Sequence, residues 1–470
     1  MSKLMKIGAI LLCLIVAVGL FAACDDKGGD GEKQSQGAGQ QDSTSQTNET
    51  IDVSLLPPSS VGLSFQLNND KKSYTVTGIG NCTDKDIVIS SYQNLPVTSI
   101  GKEAFIYCDT LTGVTLGSSV TNIGESAFAR SGLTNVTLPD SVTSIGNQAF
   151  LNCNKLTSVT IGNGVTTIGE EAFKYCHALT DVTLGNGIKT IGNFAFNECA
   201  IVNVTIPDSV TTIGESAFYY CSNLTSIVIP DSVTSIGEEA FYSCGNLMKV
   251  TLGKNLTTVG GWAFGCCDGL YEIVNHSSLE LSIGSGKNGN VALNAYVVMD
   301  SSGNKTYRSG YDEATYIATD DGFRFVCEYT IFGEARYKLI GYIGEPRTVT
   351  LPTNVNGNSY SLHKVRGLTS VIVPEGTTSI DFEAFDCISL KSVTIPKSVT
   401  SIGSDAFHQY VQGGLTAVYY VGTADEWAQI EIMDGNYGLT AATCYFYSET
   451  QPTAVEGNYW HYVDGEPTPW

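Results

Sequence analysis

Basic residues are scarce in this sequence and are nowhere clustered. Of its 470 residues, 25 are Lys or Arg and 47 are Asp or Glu, which gives a formal net charge of −22 at pH 7. Proteins that bind nucleic acid use grouped cations to neutralise phosphates. The composition therefore argues against a nucleic-acid partner.

Residues that could form a metal site or a catalytic centre are also few. The five histidines are scattered, and neither C-x-x-C nor H-E-x-x-H occurs. Residues 284–289 match G-x-G-x-x-G, but they lack the flanking strand and long helix of a dinucleotide site. Asp320-Asp321-Gly322 is more typical of a turn than of a calcium site. We predict no metal, no cofactor and no catalytic residue.

Long apolar runs are confined to the N-terminus. Two lysines precede an apolar or small-residue run from Ile7 to Ala23. This pattern is typical of an export signal, and a retained membrane anchor is the alternative. The closing residues, Leu20-Phe21-Ala22-Ala23-Cys24, resemble a bacterial lipobox, from which Phe21 departs. The resemblance implies cleavage before Cys24 and acylation of its thiol, so that lipid chains hold the mature protein at the outer face of the cell membrane.

The composition changes immediately after the apolar run. Residues 24–54 are rich in Gly, Gln, Ser, Thr, Asp and Asn and have almost no large apolar side chain. Such a segment cannot bury enough surface to fold. We therefore predict a signal peptide over 1–23 and a disordered tether over 24–54. Apart from the lipid anchor, no contact with the membrane is predicted.

A repeat of 22 or 23 residues dominates the rest of the sequence. An Ala-Phe pair marks ten units, at Phe105, Phe128, Phe150, Phe173, Phe196, Phe218, Phe241, Phe264, Phe385 and Phe407. A period of this size is typical of a solenoid, in which each unit forms one turn and stacks on its neighbours.

The unit that ends at Cys176 illustrates the physical pattern. Leu156, Val159 and Ile161 have the spacing L-x-x-L-x-L, which predicts a short strand with alternate side chains in the core. Gly169 permits a sharp bend. The acidic residues that follow it suit the start of a short helical turn, and the Ala-Phe pair then fills the interior.

Seven cysteines repeat in the same register, each three residues after the phenylalanine, at Cys108, Cys153, Cys176, Cys199, Cys221, Cys244 and Cys267. Residues at one repeated position lie above one another along a solenoid. We therefore expect a structural ladder of buried free thiols. The identical orientation of neighbouring side chains opposes disulfide pairing, and the ladder has no histidine partners for a metal.

The whole unit, L-T-x-V-T-I-P-x-S-V-T-x-I-G-x-x-A-F-x-x-C, is similar to the BspA-like leucine-rich repeat of bacterial surface proteins. The clearest copies are Leu133–Phe150 and Leu224–Phe241. The resemblance implies an exported protein on the bacterial cell surface, adhesion to proteins of host or neighbouring cells, and no catalysis. It assigns no binding residue.

The repeats divide the folded part of the chain into five predicted regions. These are a β cap over 55–97, eight Ala-Phe units over 98–275, a β-rich insert or second cap over 276–366, two further units over 367–422, and a C-terminal cap and tail over 423–470. Hairpin signals lie around Gly303 and Gly333. The predicted fold class is a β-rich α/β solenoid, a leucine-rich-repeat coil with short helical turns, β-hairpin caps and an insert.

Departures from the repeat mark the candidate partner-binding residues. Most units carry Thr, Ser or Asn on the exposed strand face, and Met248, Tyr271 and Glu272 break that run. Trp262 stands where other units have mostly small or polar residues. Aromatic residues are favoured interface anchors, although packing between turns is the alternative. We predict a binding surface here for an unknown extracellular protein or cell-surface ligand. A structural spacer, or an enzyme carried by residues 276–366, remain alternatives.

Overall fold

The computed structural model describes residues 57–330, 333–344, 348–385, 390–408, 414–452 and 457–470. The described residues belong to one compact unit, Ile51–Trp470. The predicted signal peptide over 1–23, the lipidation site Cys24 and the tether over 24–54 lie outside the described residues.

The first side of each solenoid turn is a short strand, and we call this side the strand face. Along the unit of Phe173, Val159 and Ile161 are buried while Thr160 between them is exposed, as the alternation of side chains along a strand requires. The strands pair in parallel, one unit apart. They are Asp86–Ile89, Gly113–Leu116, Asn135–Leu138, Ser158–Ile161, Asp181–Thr183, Ser226–Ile229, Lys249–Leu252, Glu272–Asn275 and Val297–Asp300.

A second, narrower sheet forms the side to which the chain returns after each strand. Each regular unit contributes two residues to it, and the outer strands form its cap: Ser64–Leu67 pairs antiparallel with Tyr74–Gly78, which pairs parallel with the next strand. The strands in order are Ser64–Leu67, Tyr74–Gly78, Leu95–Ile100, Asn122–Ile123, Ser144–Ile145, Thr167–Ile168, Thr190–Ile191, Thr212–Ile213, Ser235–Ile236 and Thr258–Val259, with Ser91–Tyr92 beside Leu95–Ile100.

The third side, which we call the turn edge, carries the Ala-Phe pairs and differs from the prediction. In the unit of Phe173, Glu171 and Tyr175 adopt φ values of 55° and 62°, in the left-handed region. The backbone N–H groups of Glu171, Phe173 and Tyr175 donate to carbonyls of the next unit, at 2.8–2.9 Å. An α-helix would instead need right-handed φ and hydrogen bonds within its own segment. The predicted helical turns are therefore a ladder of β-turns.

Helices are confined, within the described ranges, to short segments outside the regular units. They are a 3₁₀ turn at Asn288–Asn290 and two α-helices at Ala424–Trp427 and Tyr437–Ala441. The α/β description is thus not supported, and the fold is a β-solenoid. The longest of these helices has 5 residues, whereas a membrane span needs about 20, so no helix in this part of the chain could cross a bilayer.

The phenylalanines form a continuous stack through the interior. From Phe105 to Phe264, neighbouring ring centroids lie 5.0–5.5 Å apart with interplanar angles of 2–14°. Offset stacking of this kind is favourable beyond the burial of the rings alone. All of these rings are essentially fully buried, so one residue per turn fixes the spacing of the coil.

The cysteine ladder lies beside the phenylalanine stack. The thiol of Cys176 donates to the carbonyl of Phe150 at 3.2 Å, and the same contact recurs in neighbouring units, as from Cys221 to Phe196 at 3.2 Å. All seven ladder cysteines are free, and all but the half-buried Cys108 are buried. Burial raises the pKa of Cys221 to about 12. The six buried thiols of the ladder therefore each donate to a backbone carbonyl of a preceding unit.

After Asp300 the chain forms the two predicted hairpins and then a second core. Lys305–Tyr307 turns back antiparallel on Val297–Asp300, and Phe323–Tyr329 pairs antiparallel with Ala335–Tyr342. Tyr316–Ala318 and Tyr360–Arg366 complete the latter sheet. Phe323, Phe325 and Leu339 are buried in one cluster with the resumed repeats, separate from the core of the first array.

The resumed repeats rebuild both sheets. One sheet contains Thr348–Thr350, Ser370–Ile372, Ser392–Ile395, Ala417–Tyr420, Thr443–Tyr447, Tyr459–Val463 and Glu466–Pro469, and the other contains Ser379–Ile380, Ser401–Ile402 and Glu431–Ile432. The last two strands of the first sheet form an antiparallel hairpin. Trp460 in that hairpin is fully buried and donates from its indole nitrogen to the carbonyl of Tyr420 at 2.9 Å. This hairpin covers the open end of the second core.

Candidate functional site

One position on the strand face holds a solvent-facing row of threonines through the early units. Thr137, Thr160 and Thr183 occupy it in register. In the last units the same row continues through Val228, Thr251, Val274 and Met299. Val228 is 60% exposed. A polar row thus becomes largely apolar where the first array ends, and this is the region that the chain after Asp300 approaches.

The residues that follow the first array enclose the end of this row. Val274, Val297 and Met299 form the floor of a cleft of about 380 Å³, and Tyr316, Ile317 and Arg324 form its wall. We call this space the junction cleft, because it lies between the first array and the sheet that begins the second core. Its volume falls within the range of about 300–1,000 Å³ typical of small ligand sites, and it can equally receive a side chain of a larger partner.

A buried ion pair closes the base of the junction cleft. The guanidinium of Arg324 donates to the carboxylate of Glu272, and both residues are less than a tenth exposed. The hydroxyl of Tyr316 donates to the same carboxylate at 3.0 Å, and the ammonium of Lys249 lies 3.6 Å from its other oxygen. Burial and the adjacent charge of Glu272 raise the pKa of Tyr316. The base therefore holds one carboxylate between two cationic side chains, so every charge there has a partner and the net charge is positive.

The rim of the cleft is polar and carries both signs of charge. The ammonium of Lys305 lies 3.2 Å from the carboxylate of Glu313, and Asp320 is exposed nearby. An apolar floor with a mixed charged rim is suited to an apolar side chain that has polar neighbours. Met299 adds adaptability, because its unbranched thioether side chain can adjust to different shapes.

The four predicted binding residues do not form one surface. Met248 is fully buried, and its sulfur packs against Gly341 so closely that no side chain would fit between them. Tyr271 is half-buried with its ring 5.3 Å from that of Tyr296. Both pack within the junction, so the predicted binding surface at Met248 is corrected. The sheet that begins the second core covers this residue, which the repeat pattern does not reveal.

The other two predicted residues lie on different sides of the solenoid. Glu272 is at the base of the junction cleft, whereas Trp262 is on the turn edge and 55% exposed. Sequence reasoning missed Val274 and Met299, although both replace threonine at the row position and a comparison restricted to that position would have found them. It could not have found Arg324, which reaches Glu272 only because the chain folds back.

Trp262 belongs to a cluster that we call the aromatic edge, formed with Tyr219, Tyr220 and Tyr242. The ring of Tyr219 stacks on that of Tyr242 at 5.2 Å and contacts that of Tyr220 at 5.1 Å. A side chain added at Gly265 would lie within 2.9 Å of both Tyr242 and Trp262, so these rings flank a backbone that only glycine permits.

The described part of the chain contains no group of three or more His, Cys, Asp or Glu residues placed to hold a metal ion. The exposed thiol of Cys266 instead donates to the hydroxyl of Tyr242 at 3.2 Å. This contact raises the pKa of Tyr242 to about 12.

The repeats match a family model described as the BspA type leucine rich repeat region. Six copies match, within residues 81–200, 166–288 and 345–416. Together these ranges span more than half of the chain. No curated protein sequence matches the chain.

Solved structures with similar chains include several bacterial leucine-rich repeat proteins. A leucine-rich repeat protein from Bacteroides ovatus is 18% identical, over 82% of this chain and 98% of that one, with a TM-score of 0.36. A leucine rich cell surface protein from Faecalibacterium prausnitzii is 22% identical, over 80% and 98%, with a TM-score of 0.27. The pneumococcal vaccine antigen PcpA is 15% identical, over 83% and 95%, with a TM-score of 0.26.

Proposed function

Because this chain belongs to the BspA-type leucine-rich repeat family, we propose that it is a bacterial cell-surface scaffold that binds other proteins through the junction cleft. The observation that carries the proposal is the change in the threonine row. At Val274 and Met299 two consecutive units of the row are apolar, and residues at the start of the second core enclose the row there.

The chemistry of the cleft supports a protein partner. The floor is aliphatic, so it favours an apolar side chain over a sugar ring or a phosphate. Because Arg324 and Lys249 both contact Glu272, the three residues supply a fixed polar base and leave no isolated charge for acid–base chemistry. We therefore propose binding without catalysis, and the partner is an extracellular protein that places an apolar side chain on Met299.

Surface display is proposed to depend on the N-terminus. Export by the apolar run and acylation of Cys24 would anchor the chain, and residues 24–54 would hold the solenoid away from the membrane. Because acylation of the thiol precedes cleavage, replacing Cys24 with Ser should abolish both labelling with a radioactive fatty acid and removal of residues 1–23. A wild-type protein that takes up no labelled fatty acid and retains residues 1–23 would instead indicate an uncleaved membrane anchor.

A capture experiment tests the binding proposal. Full-length protein displayed on beads is exposed to extracts of host cells and neighbouring bacteria, and retained proteins are identified by mass spectrometry. The test variant is Val274→Thr with Met299→Thr, which restores the threonine row. The matched control is Thr137→Ser with Thr160→Ser, which alters the same row outside the cleft. We expect the test variant to lose the captured proteins while the control retains them.

Both variants must keep the wild-type melting temperature for the comparison to count. Equal capture by wild type and the test variant would show that the junction cleft is not the site. Failure of the wild type to retain any protein would favour a structural spacer, whose repeats provide only length and spacing.

A further inference from the structure

Aromatic rings elsewhere on the turn edge are covered by cations of the chain itself. The guanidinium of Arg130 lies 5.3 Å from the ring centre of Tyr107. The ammonium of Lys174 lies 4.7 Å from the ring centre of Phe194 and 5.0 Å from that of Tyr175. These are distances at which a cation is attracted to the face of a ring. The geometry recurs in separate units, so the turn edge presents ring faces that cations can occupy.

The aromatic edge presents rings of the same kind without such a cation. Trp262 is 55% and Tyr220 50% exposed. Among the described residues, no Lys or Arg lies over the ring of either residue, or over those of Tyr219 and Tyr242. The reason lies in the sequence, because residues 190–248 contain no Lys or Arg at all.

Carboxylates surround these uncovered rings. Residues 190–248 include six acidic residues. Two of them are bonded through the backbone to tyrosines of the edge, since the N–H of Glu198 donates to the carbonyl of Tyr219 at 2.7 Å and the N–H of Tyr242 donates to the carbonyl of Glu239 at 3.0 Å. After burial, the charge of Glu239 and then that of Glu198 contribute to raising the pKa of Tyr219. The aromatic edge therefore combines exposed π faces with a negative field and lacks a positive group of its own.

We infer that the aromatic edge is a second binding surface and that its ligand is a Lys- or Arg-rich segment of a protein. Each ring face of Tyr220 and Trp262 takes one cationic side chain of the segment, and the surrounding carboxylates attract the remainder. The same carboxylates repel nucleic acid and anionic membranes. This surface lies on the turn edge, away from the strand face. Evidence for or against it is therefore independent of the evidence on the junction cleft.

The surface is tested by peptide binding to the full-length protein in detergent. Fluorescently labelled peptides with alternating Arg and Gly, alternating Lys and Gly, or alternating Glu and Gly are titrated with the protein, and anisotropy reports binding. We expect the two cationic peptides to bind and the acidic one not to bind. Affinity should fall as salt rises, because exposed charges contribute.

Three variants separate ring contacts from general attraction to an acidic surface. Trp262→Leu keeps apolar bulk but removes the π face, Trp262→Phe keeps a ring, and Tyr107→Ala removes a ring that Arg130 already covers. Trp262→Leu combined with Tyr220→Leu should weaken binding of the Arg peptide about tenfold, the effect of two exposed cation–π contacts. Trp262→Phe and Tyr107→Ala should leave the affinity within about twofold of wild type.

Equal affinity of the doubly substituted protein and the wild type would overturn the inference, since binding would then reflect charge alone. So would an equal loss in Tyr107→Ala, because that ring is not free. The Val274→Thr, Met299→Thr variant should bind the peptides normally, which keeps failure of this inference distinct from failure of the proposed function.

Discussion

Removal of one ring from the phenylalanine stack should weaken the first array severely but locally. Phe173 is fully buried, and its ring lies 5.0 Å from that of Phe150 and 5.2 Å from that of Phe196. Replacement of Phe173 by alanine removes its ring contacts with both neighbours and leaves a cavity between consecutive turns. In a solenoid each turn contacts only its neighbours, so no distant contact compensates for this loss.

The magnitude follows from two contributions. Burial and cavity terms for Phe→Ala in a core amount to about 3–5 kcal/mol. Each lost ring pair adds ~0.5–1.5 kcal/mol, part of which is already included in the first figure. We therefore expect Phe173→Ala to lower the free energy of unfolding of the first array by about 4 kcal/mol. Phe173→Leu nearly conserves the volume, and should cost less than ~1.5 kcal/mol.

Urea denaturation followed by circular dichroism measures the total loss, and hydrogen exchange shows where it occurs. Slow exchange should be lost first in the turns that contain Phe150 and Phe196. The strands of the second core, such as Ser392–Ile395, should keep their protection because they belong to a separate core. A loss below ~1 kcal/mol in the alanine variant, or equal deprotection of both cores, would refute the role assigned to the stack.

Three further predictions concern single contacts. Arg324→Met should destabilise the junction by about 3 kcal/mol, because the buried carboxylate of Glu272 loses its guanidinium partner and keeps only Lys249, at 3.6 Å, and the hydroxyl of Tyr316; the added substitution Glu272→Leu should restore most of the melting temperature, and failure of that rescue would contradict the pairing. In the native protein, iodoacetamide should modify the exposed Cys266 well before the buried ladder thiols, as followed by peptide mass spectrometry, and equal rates would argue against a buried ladder. Although burial opposes its charged form, hydrogen bonds, first from Lys174, lower the pKa of Glu171. The stabilisation that ionised Glu171 contributes is thus present above about pH 4 and is lost as the pH falls through the lowered pKa. Lys174→Met should move the acid unfolding transition to higher pH, and an unchanged transition would exclude this contact.

The regular part of the fold could be predicted from the sequence because every unit repeats the same physical pattern. The strand at Ser158–Ile161 follows from alternating burial, and the thiol ladder follows from a constant offset after phenylalanine. The prediction of a helical turn was wrong because it considered each unit alone. Acidic residues after Gly169 suit a helix start, but the backbone N–H groups of Glu171 and Phe173 bond to the next unit. Stacking between turns therefore overrides the local preference.

The candidate site could be predicted only in part, because it depends on contacts between distant segments. Glu272 was singled out as a departure from the repeat, but its partner Arg324 follows it by 52 positions along the chain. Met248 departs from the repeat as well, yet it is buried by Gly341 and Gly367. Repeat analysis identifies unusual positions and cannot tell whether a later segment covers them.

The central claim is that the junction cleft holds a protein partner, and hydrogen exchange with the captured protein tests it most directly. The protein is compared alone and in complex with the purified protein that it retains from extract. We predict slower exchange in Glu272–Asn275 and Val297–Asp300 on complex formation, with no change in Asn135–Leu138 on the same face. Unchanged exchange in the first two strands, with protection elsewhere, would contradict the account.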